Sequence, residues 1–373
     1  MLQKIFFLYM NLLFFQNCVS PHQVPYMVEL VKFNIFKDII LIVPRYDYDE
    51  RRKIGWNNEN LIDKTGIQLI FKPNDIEVED LLKNCDNGYC FFSGIRADKS
   101  VFNWFKLSLD YGVKRYIITE PPLTYNKPLW LHYIRFYLRD YRFVSCIDGI
   151  FGIGYNAVKY YKCISSKWDV FPFMYVTEPI NRTEAVPHGV PKMLFVGNLC
   201  KRKNVAIVIK ALKEIKNVEF SIVGNGKQKK NLERLAKKLR VKVNFVGARN
   251  IKEVPIIMQG YDVLVLPSLY DGWGVVVNEA MGLGLYVVVS NKCGARQLIN
   301  SKKQGIIFKS NKISDLKNAI SYCINNIDSI RENIYINIQD YKKYRPENVA
   351  KYLINCINSK SDCQYDIFNN KGI

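Results

Sequence analysis

A chain of 373 residues has room for about two domains of ordinary size, and 49% hydrophobic with 24% charged residues excludes a mainly disordered or low-complexity protein. The formal net charge of +20, concentrated in the second half, favours an anionic partner such as a nucleotide diphosphate, an anionic lipid or a nucleic acid, and says nothing about fold. Ten scattered cysteines, with no paired two-residue spacings and no histidine beside them, argue against a zinc module or a disulfide framework and predict reduced thiols in a cytoplasmic protein.

The amino-terminal run Ile5 to Phe15 is apolar except for Asn11 and follows a single Lys4. It is too short to span a bilayer, and Pro21 is a poor residue after a cleavage site, so a first buried strand over Lys4 to Met10 is expected rather than a targeting segment. A loop with Ser20, Pro21, His22 and Gln23 then leads to a helix from Pro25 to Lys32. Apolar runs predict strands at Ile39 to Val43, Ile67 to Phe71, Tyr89 to Phe92 and Tyr116 to Thr119, with helices at Val78 to Lys83 and Val101 to Leu109 between them. Strands that alternate with helices pair in parallel.

Lys127 to Phe143 differs from its neighbours. Trp130, Tyr133, Ile134, Phe136, Tyr137 and Leu138 crowd together with Arg135, Arg139 and Arg142, which suits a membrane interface; the commoner pattern of this kind is a core helix with arginines on its outer face. A strand at Ile147 to Ile153, a helix at Ala157 to Cys163 and a strand at Val170 to Tyr175 complete a domain over 1–178. Pro179 to Pro191, broken by prolines, Asn181 and Gly189, is the expected linker.

The second half continues with strands at Lys192 to Val196, Glu219 to Val223, Val243 to Val246 and Val263 to Leu266. Helices are predicted at Val205 to Ile215, Gln228 to Arg240 and Ile251 to Met258, and a glycine turn at Gly224 to Gly226. After Leu266 come a loop, a helix from Val275 to Met281, strands at Leu285 to Val289 and Ile306 to Phe308, and a helix from Ile313. A doubly wound sheet of six or seven strands over 192–340 is the result. A last helix, Pro346 to Ile357, lies in the segment 341–373, whose tail after Ser359 is expected to fray.

The chemistry gathers between Asp262 and Ser290. Asp271 in the loop and Glu279 on the helix can both face the mouth of a parallel sheet, where ligands bind. Gly272 and Gly274 let backbone amides approach an anion at the helix start, a plausible seat for a phosphorylated polyol. The bland alternative is that they are turn glycines, with Asp271 as a cap and Glu279 in solvent.

From Met193 to about Ile307 the strings FVGNLCKRKNV, FSIVGNG, VNFVGA, YDVLVLPS, DGWGVVVNEAMGLG and VVVSNKCGA follow in order, and this set resembles the retaining glycosyltransferases of family 4, glycosyl transferases group 1. In the first half the likeness to bacterial surface-polysaccharide transferases is thin, resting on SPHQ, Glu120-Pro121-Pro122 and FGIGYNA. The resemblance implies an α/β, GT-B fold: two Rossmann-like doubly wound domains facing a cleft, with the carboxyl-terminal helix crossing back to the first.

It also implies roles. Asp271 matches the carboxylate that meets the donor sugar's hydroxyls, Glu279 the one that binds the nucleotide's ribose, and Lys203 the lysine on the donor diphosphate. Gly272, Trp273, Gly274 and Val275 would offer backbone amides, Gly226 a close approach to the nucleotide, and Ser268 would line the same mouth. Three departures stand out. Asn198 takes the place of an arginine, so that one diphosphate contact is missing or is supplied by Arg202 or Lys201; Asp271 is shorter than the usual glutamate; and Asn204 replaces a glycine, as a helix cap would allow.

Of the three histidines, His22 is placed by the resemblance across the cleft, where it would orient or deprotonate the acceptor. His132 belongs to the aromatic helix and His188 to the linker. The function implied is retaining transfer of a sugar from a nucleoside diphosphate sugar to a glycan or lipid-linked acceptor at the cytoplasmic face of a membrane, with peripheral membrane contact, no metal or other cofactor and no nucleic acid. A nucleotide-sugar epimerase of the same fold and a basic nucleic-acid-binding protein are the rival readings; no nucleic-acid module is present to favour the latter.

Overall fold

The computed structural model describes residues 10–52, 58–125 and 127–358. They form two compact units, one built from the chain up to Glu178 together with the segment from Tyr344, the other from Pro179–Lys343.

The first unit alternates β1 (Leu12–Phe15), α1 (Val24–Phe33), β2 (Ile39–Val43), α2 (Asp49–Arg52), β3 (Gln68–Phe71), α3 (Asp75–Lys83), β4 (Tyr89–Ser93), α4 (Lys99–Leu107), β5 (Lys114–Thr119), α5 (Leu129–Arg139), β6 (Gly149–Ile153), α6 (Tyr155–Lys162) and β7 (Asp169–Phe173). All seven strands pair in parallel in the order β3-β2-β1-β4-β5-β6-β7. The first strand of the described residues is Leu12–Phe15; the expected strand Lys4 to Met10 lies outside the described residues except for Met10. An unbroken apolar run has no period that fixes where a doubly buried strand begins. What fixes it is pairing on both sides: Phe14 and Phe15 stand opposite Phe91 and Phe92 of β4, and the rings stack at 4.9 and 4.8 Å.

Local signals set the helix starts. Asn74 accepts from the Glu77 amide at 2.9 Å while Glu77 accepts from the Asn74 amide at 2.8 Å, a capping box that begins α3. The aromatic segment forms α5 and then a 3₁₀ stretch, Tyr141–Cys146. Of α5, Phe136 lies in the core of the first unit and Tyr133 packs against it, while Trp130, Ile134, Tyr137 and Leu138 are exposed.

The second unit contains β8 (Lys192–Val196), α7 (Ala206–Ala211), β9 (Glu219–Val223), α8 (Lys229–Leu239), β10 (Asn244–Gly247), α9 (Glu253–Met258), β11 (Val263–Leu266), α10 (Val276–Gly282), β12 (Tyr286–Ser290), β13 (Gly305–Phe308), α11 (Ile313–Asn325), α12 (Ile327–Glu332) and α13 (Ile334–Tyr341). Its six strands are parallel in the order β10-β9-β8-β11-β12-β13. The amino-terminal end of β11 is pinned by Asp262, fully buried, which takes a bidentate ion pair from Arg331 at 2.8 and 3.1 Å and the Lys192 amide at 2.8 Å. The segment expected to be a linker is strapped to this unit. Arg182 donates to the carbonyls of Leu283 and Gln259, and the Gln259 side chain accepts from the amides of Thr183 and Glu184.

The last helix, α14 (Pro346–Asn358), returns to the first unit and packs on α1 through a buried face that includes Val349, Tyr352, Leu353 and Cys356. The tail expected to fray lies outside the described residues. No helix among the described residues is long and apolar enough to cross a membrane.

Candidate active site

Strand order creates the site before any side chain is considered. The second sheet runs outward from β8 to β10 and then returns to β11 beside β8, so the segments leaving β8 and β11 meet at the carboxyl edge, at the topological switch point. The segment after β8 carries Asn198 to Asn204, and the one after β11 carries Ser268 to Val275.

After β8, Lys201–Lys203 make one 3₁₀ turn that ends at Asn204 with φ 52. Asparagine tolerates this left-handed conformation better than other side chains, which explains why it can stand where glycine is usual. It ends the turn and does not cap a helix, because α7 begins at Ala206 after Val205 without a side-chain cap. The turn is tied to the other segment by the Leu269 amide, which donates to the Arg202 carbonyl at 2.8 Å.

The charged side chains then converge. Lys203 Nζ lies 2.5 Å from Asp271 Oδ2, with the two side chains 13% and 12% exposed. Ser268 Oγ donates to the same oxygen at 3.3 Å, and Arg202 places Nη1 3.7 Å from Asp271 Oδ1 while donating to the Tyr270 carbonyl at 2.7 Å. A cation pair around one carboxylate, partly withdrawn from water, is screened far less than a surface ion pair. Arg202 is therefore turned toward the acidic loop. Asn198 is exposed, and its side chain lies against the turn after β9.

Glu279 follows in the first turn of α10. Its side chain is half-buried, and burial pushes its carboxyl up to about 7. A carboxylate held in this way is a poor surface ornament and a good acceptor for paired hydroxyls.

The remaining expected residues divide between backbone and scaffold. Trp273 is 1% exposed and its indole donates to Asn278 Oδ1 at 2.7 Å, so only its backbone is available to a ligand. Ser268 is fully buried, with its hydroxyl committed to Asp271. Gly226 takes φ 153, and an added Cβ would stand 2.4 Å from Asn198 Oδ1 and 2.6 Å from the Leu199 carbonyl oxygen. The missing side chain there is used by the loop after β8. Gly272 and Gly274 are buried, and Val275 precedes α10.

The sequence reading missed the clamp behind this loop. Asp271 bridges to Cys293, its amide donates to the Lys292 carbonyl at 3.0 Å, and Gly294 and Ala295 donate to the carbonyls of Asp271 and Trp273 at 3.0 and 2.8 Å. Gly294 has no room for a side chain, since a Cβ would come 2.1 Å from the Gly272 carbonyl oxygen. The Cys-Gly pair just after β12 was the available signal. The Cys293 thiol donates to the Trp273 carbonyl at 3.0 Å, and burial, reinforced by Asp271, pushes it up to about 12.

His22 belongs to the first unit, on the segment after β1. Its amide donates to Ser20 Oγ at 3.3 Å, its carbonyl accepts from the Val176 amide at 3.0 Å, and its ring lies 6.3 Å from that of Tyr175.

The chain is 33% identical over 191 residues to an uncharacterized glycosyltransferase of Methanocaldococcus jannaschii, covering 48% of each chain. Over 134 residues it is 31% identical to the UDP-Gal:alpha-D-GlcNAc-diphosphoundecaprenol alpha-1,3-galactosyltransferase of Escherichia coli, covering 34% of each. These matches span about half or less of the relatives' lengths. HepE of Anabaena, solved in complex with UDP, superposes with a TM-score of 0.71 at 13% identity, covering 94% of this chain and 100% of that one. That likeness establishes the fold as GT-B, with two Rossmann-like α/β domains. Residues 176–340, which hold Lys203, Asp271 and Glu279, match the model of the glycosyl transferases group 1 family.

Proposed function

We propose that this protein is a retaining glycosyltransferase that moves a sugar from a nucleoside diphosphate sugar to a hydroxyl of a surface glycan growing on a lipid carrier, at the cytoplasmic face of a membrane. The observation that carries this reading is the Lys203–Asp271 pair at 2.5 Å, seated with Arg202 at the switch point of the second sheet and followed by Glu279 in the next helix. Uridine is the nucleotide to test first, since the galactosyltransferase relative uses UDP-Gal and HepE was solved with UDP.

Each residue then has work that its chemistry fits. Glu279, ionised, accepts from the two adjacent ribose hydroxyls. When the diphosphate arrives, Lys203 turns its ammonium from Asp271 to the phosphate, joined by Arg202, and Asp271 is released to accept from the donor sugar's hydroxyls. The bond from the anomeric carbon to the diphosphate oxygen breaks, and the bond to the acceptor oxygen forms on the same face of the sugar. The acceptor's proton passes to the departing phosphate, with His22 orienting the hydroxyl. Gly272 to Val275 offer backbone amides to the phosphate or sugar, and Gly226 and Asn198 shape the nucleotide end. Two cations replace a metal ion in this scheme, so EDTA is expected to leave the rate unchanged.

Proton NMR of the protein incubated with UDP- and GDP-sugars tests the reading. One donor should lose its nucleotide and release the sugar first as the anomer it had in the donor. Release of the opposite anomer would overturn retention, and no turnover of any donor by folded protein would overturn the transfer itself.

A further inference from the structure

The helix α5 presents apolar side chains on both of its faces. Inward, Phe136 meets Trp168 edge-on at 5.8 Å, Tyr133 stacks on Tyr160 at 4.8 Å, and Tyr160 donates its hydroxyl to the His132 carbonyl. Outward, Trp130, Ile134 and Tyr137 recur at helical spacing, Leu138 and Leu131 widen the stripe, and Tyr141, in the 3₁₀ stretch that follows, extends it with its ring 5.1 Å from that of Tyr137. Leu138 is 81% and Trp130 59% exposed. A helix apolar all round is normally interior, so an outward stripe of this size marks a surface made to meet something.

Charge identifies the occupant. Lys127, Arg135 and Arg142 are exposed beside the stripe. The one carboxylate between residues 127 and 142, Asp140, is held by Arg96. Arg135 flanks the apolar band on the helix, and Arg142 lies just beyond its end, in the 3₁₀ stretch, over the Phe143 ring at 4.8 Å. Apolar and aromatic side chains flanked by cations without free carboxylates complement an anionic bilayer, where the rings sit at headgroup depth and the guanidinium groups reach phosphates.

We propose that α5, with the 3₁₀ stretch that follows it, is a membrane-docking segment whose helix lies in the plane of an anionic bilayer, inserting Trp130, Ile134, Tyr137, Leu138 and Tyr141 at the headgroup boundary while Arg135 and Arg142 engage lipid phosphates. This rests on the first unit alone and not on the transfer reading, so each can fail without the other. It also gives the chain an attachment that needs no spanning helix.

Flotation of the full chain with phosphatidylcholine vesicles, with and without one quarter phosphatidylglycerol, tests the proposal. Binding is expected mainly to the anionic vesicles. Arg135→Gln with Arg142→Gln should weaken it about 30-fold, since each cation near such a surface is worth about fivefold, and Trp130→Ser with Leu138→Ser should abolish it on either vesicle. All four positions are exposed, and circular dichroism checks that the variants fold. Brominated lipids should quench tryptophan fluorescence in the native chain and far less in Trp130→Phe. Failure of the native chain to float, or equal binding by the Trp130 and Leu138 variant, would overturn the proposal. So would a dimer in sedimentation that this variant alone dissociates, which would make the stripe a contact between copies.

Discussion

Replacing Glu279 by glutamine should stabilise the protein and damage it at once. Burial raises this carboxyl from an ordinary 4.5 to about 7. At about 1.4 kcal/mol per tenfold change, this bounds the cost of ionising it in the folded state at about 3.5 kcal/mol. The side chain keeps some exposure, so about 2 kcal/mol is the working figure. The sign follows from proton binding: between pH 4.5 and 7 the folded state holds more protons at Glu279 than the unfolded state, so stability falls as pH rises through this window and the whole cost is present above 7. Glu279→Gln removes the charge with little change of shape. At pH 8 it should raise the melting temperature of the second unit's transition by roughly 4 to 8 °C, and at pH 4 by almost nothing. Affinity for the nucleotide should move the other way, about 10-fold to 100-fold weaker, because a charged acceptor of two hydroxyls becomes a neutral acceptor of one. Calorimetry should show nucleotide affinity in the native chain tightening as pH rises through about 7, and no such dependence in the variant. Equal melting of both proteins at pH 8, or a variant that binds nucleotide as well as the native chain, would refute the reasoning.

Other expectations follow from the same geometry. Lys203→Ala should lower kcat by about 10²-fold to 10³-fold, the usual loss on removing one preorganised charge from a transition state, with thermal stability monitored to separate the lost Asp271 pair from the lost catalysis. Gly294→Ala should destabilise the second unit in urea melts, since its Cβ would strike the Gly272 carbonyl oxygen and push the acidic loop off its clamp. Cys293, buried and with its thiol pushed up to about 12, should resist iodoacetamide at pH 8 in the folded protein and react once it is unfolded, as mass spectrometry of the labelled peptide would show.

The parts of this molecule that were legible in the sequence are those with a period or a punctuation mark. Strands such as Ile39–Val43, Lys192–Val196, Glu219–Val223 and Val263–Leu266 stand between turn residues, and their bounds agree with the sequence reading. The strand Leu12–Phe15 was not bounded in the sequence because Ile5 to Phe15 offers no interior boundary except Asn11, and its bounds are set by pairing with β2 and β4, distant in sequence. Helix α5 was legible as a helix, but which of its apolar faces is covered depends on Tyr160 and Trp168. At the site, residue types and order were readable, whereas the meeting of Lys203 with Asp271 is a consequence of β11 returning beside β8. The duties of Trp273, Ser268 and Gly226 toward their own loops were likewise invisible, because each depends on neighbours that only the folded backbone supplies.

The most direct test of the central claim is calorimetric titration of the native chain, Lys203→Ala and Glu279→Ala with UDP and with GDP. The account predicts that the native chain binds one of the two, that Glu279→Ala loses the binding through its missing ribose contact, and that Lys203→Ala weakens the diphosphate while still binding the nucleoside. Native, folded protein that binds neither nucleotide, or Glu279→Ala that binds as the native chain does, would contradict it.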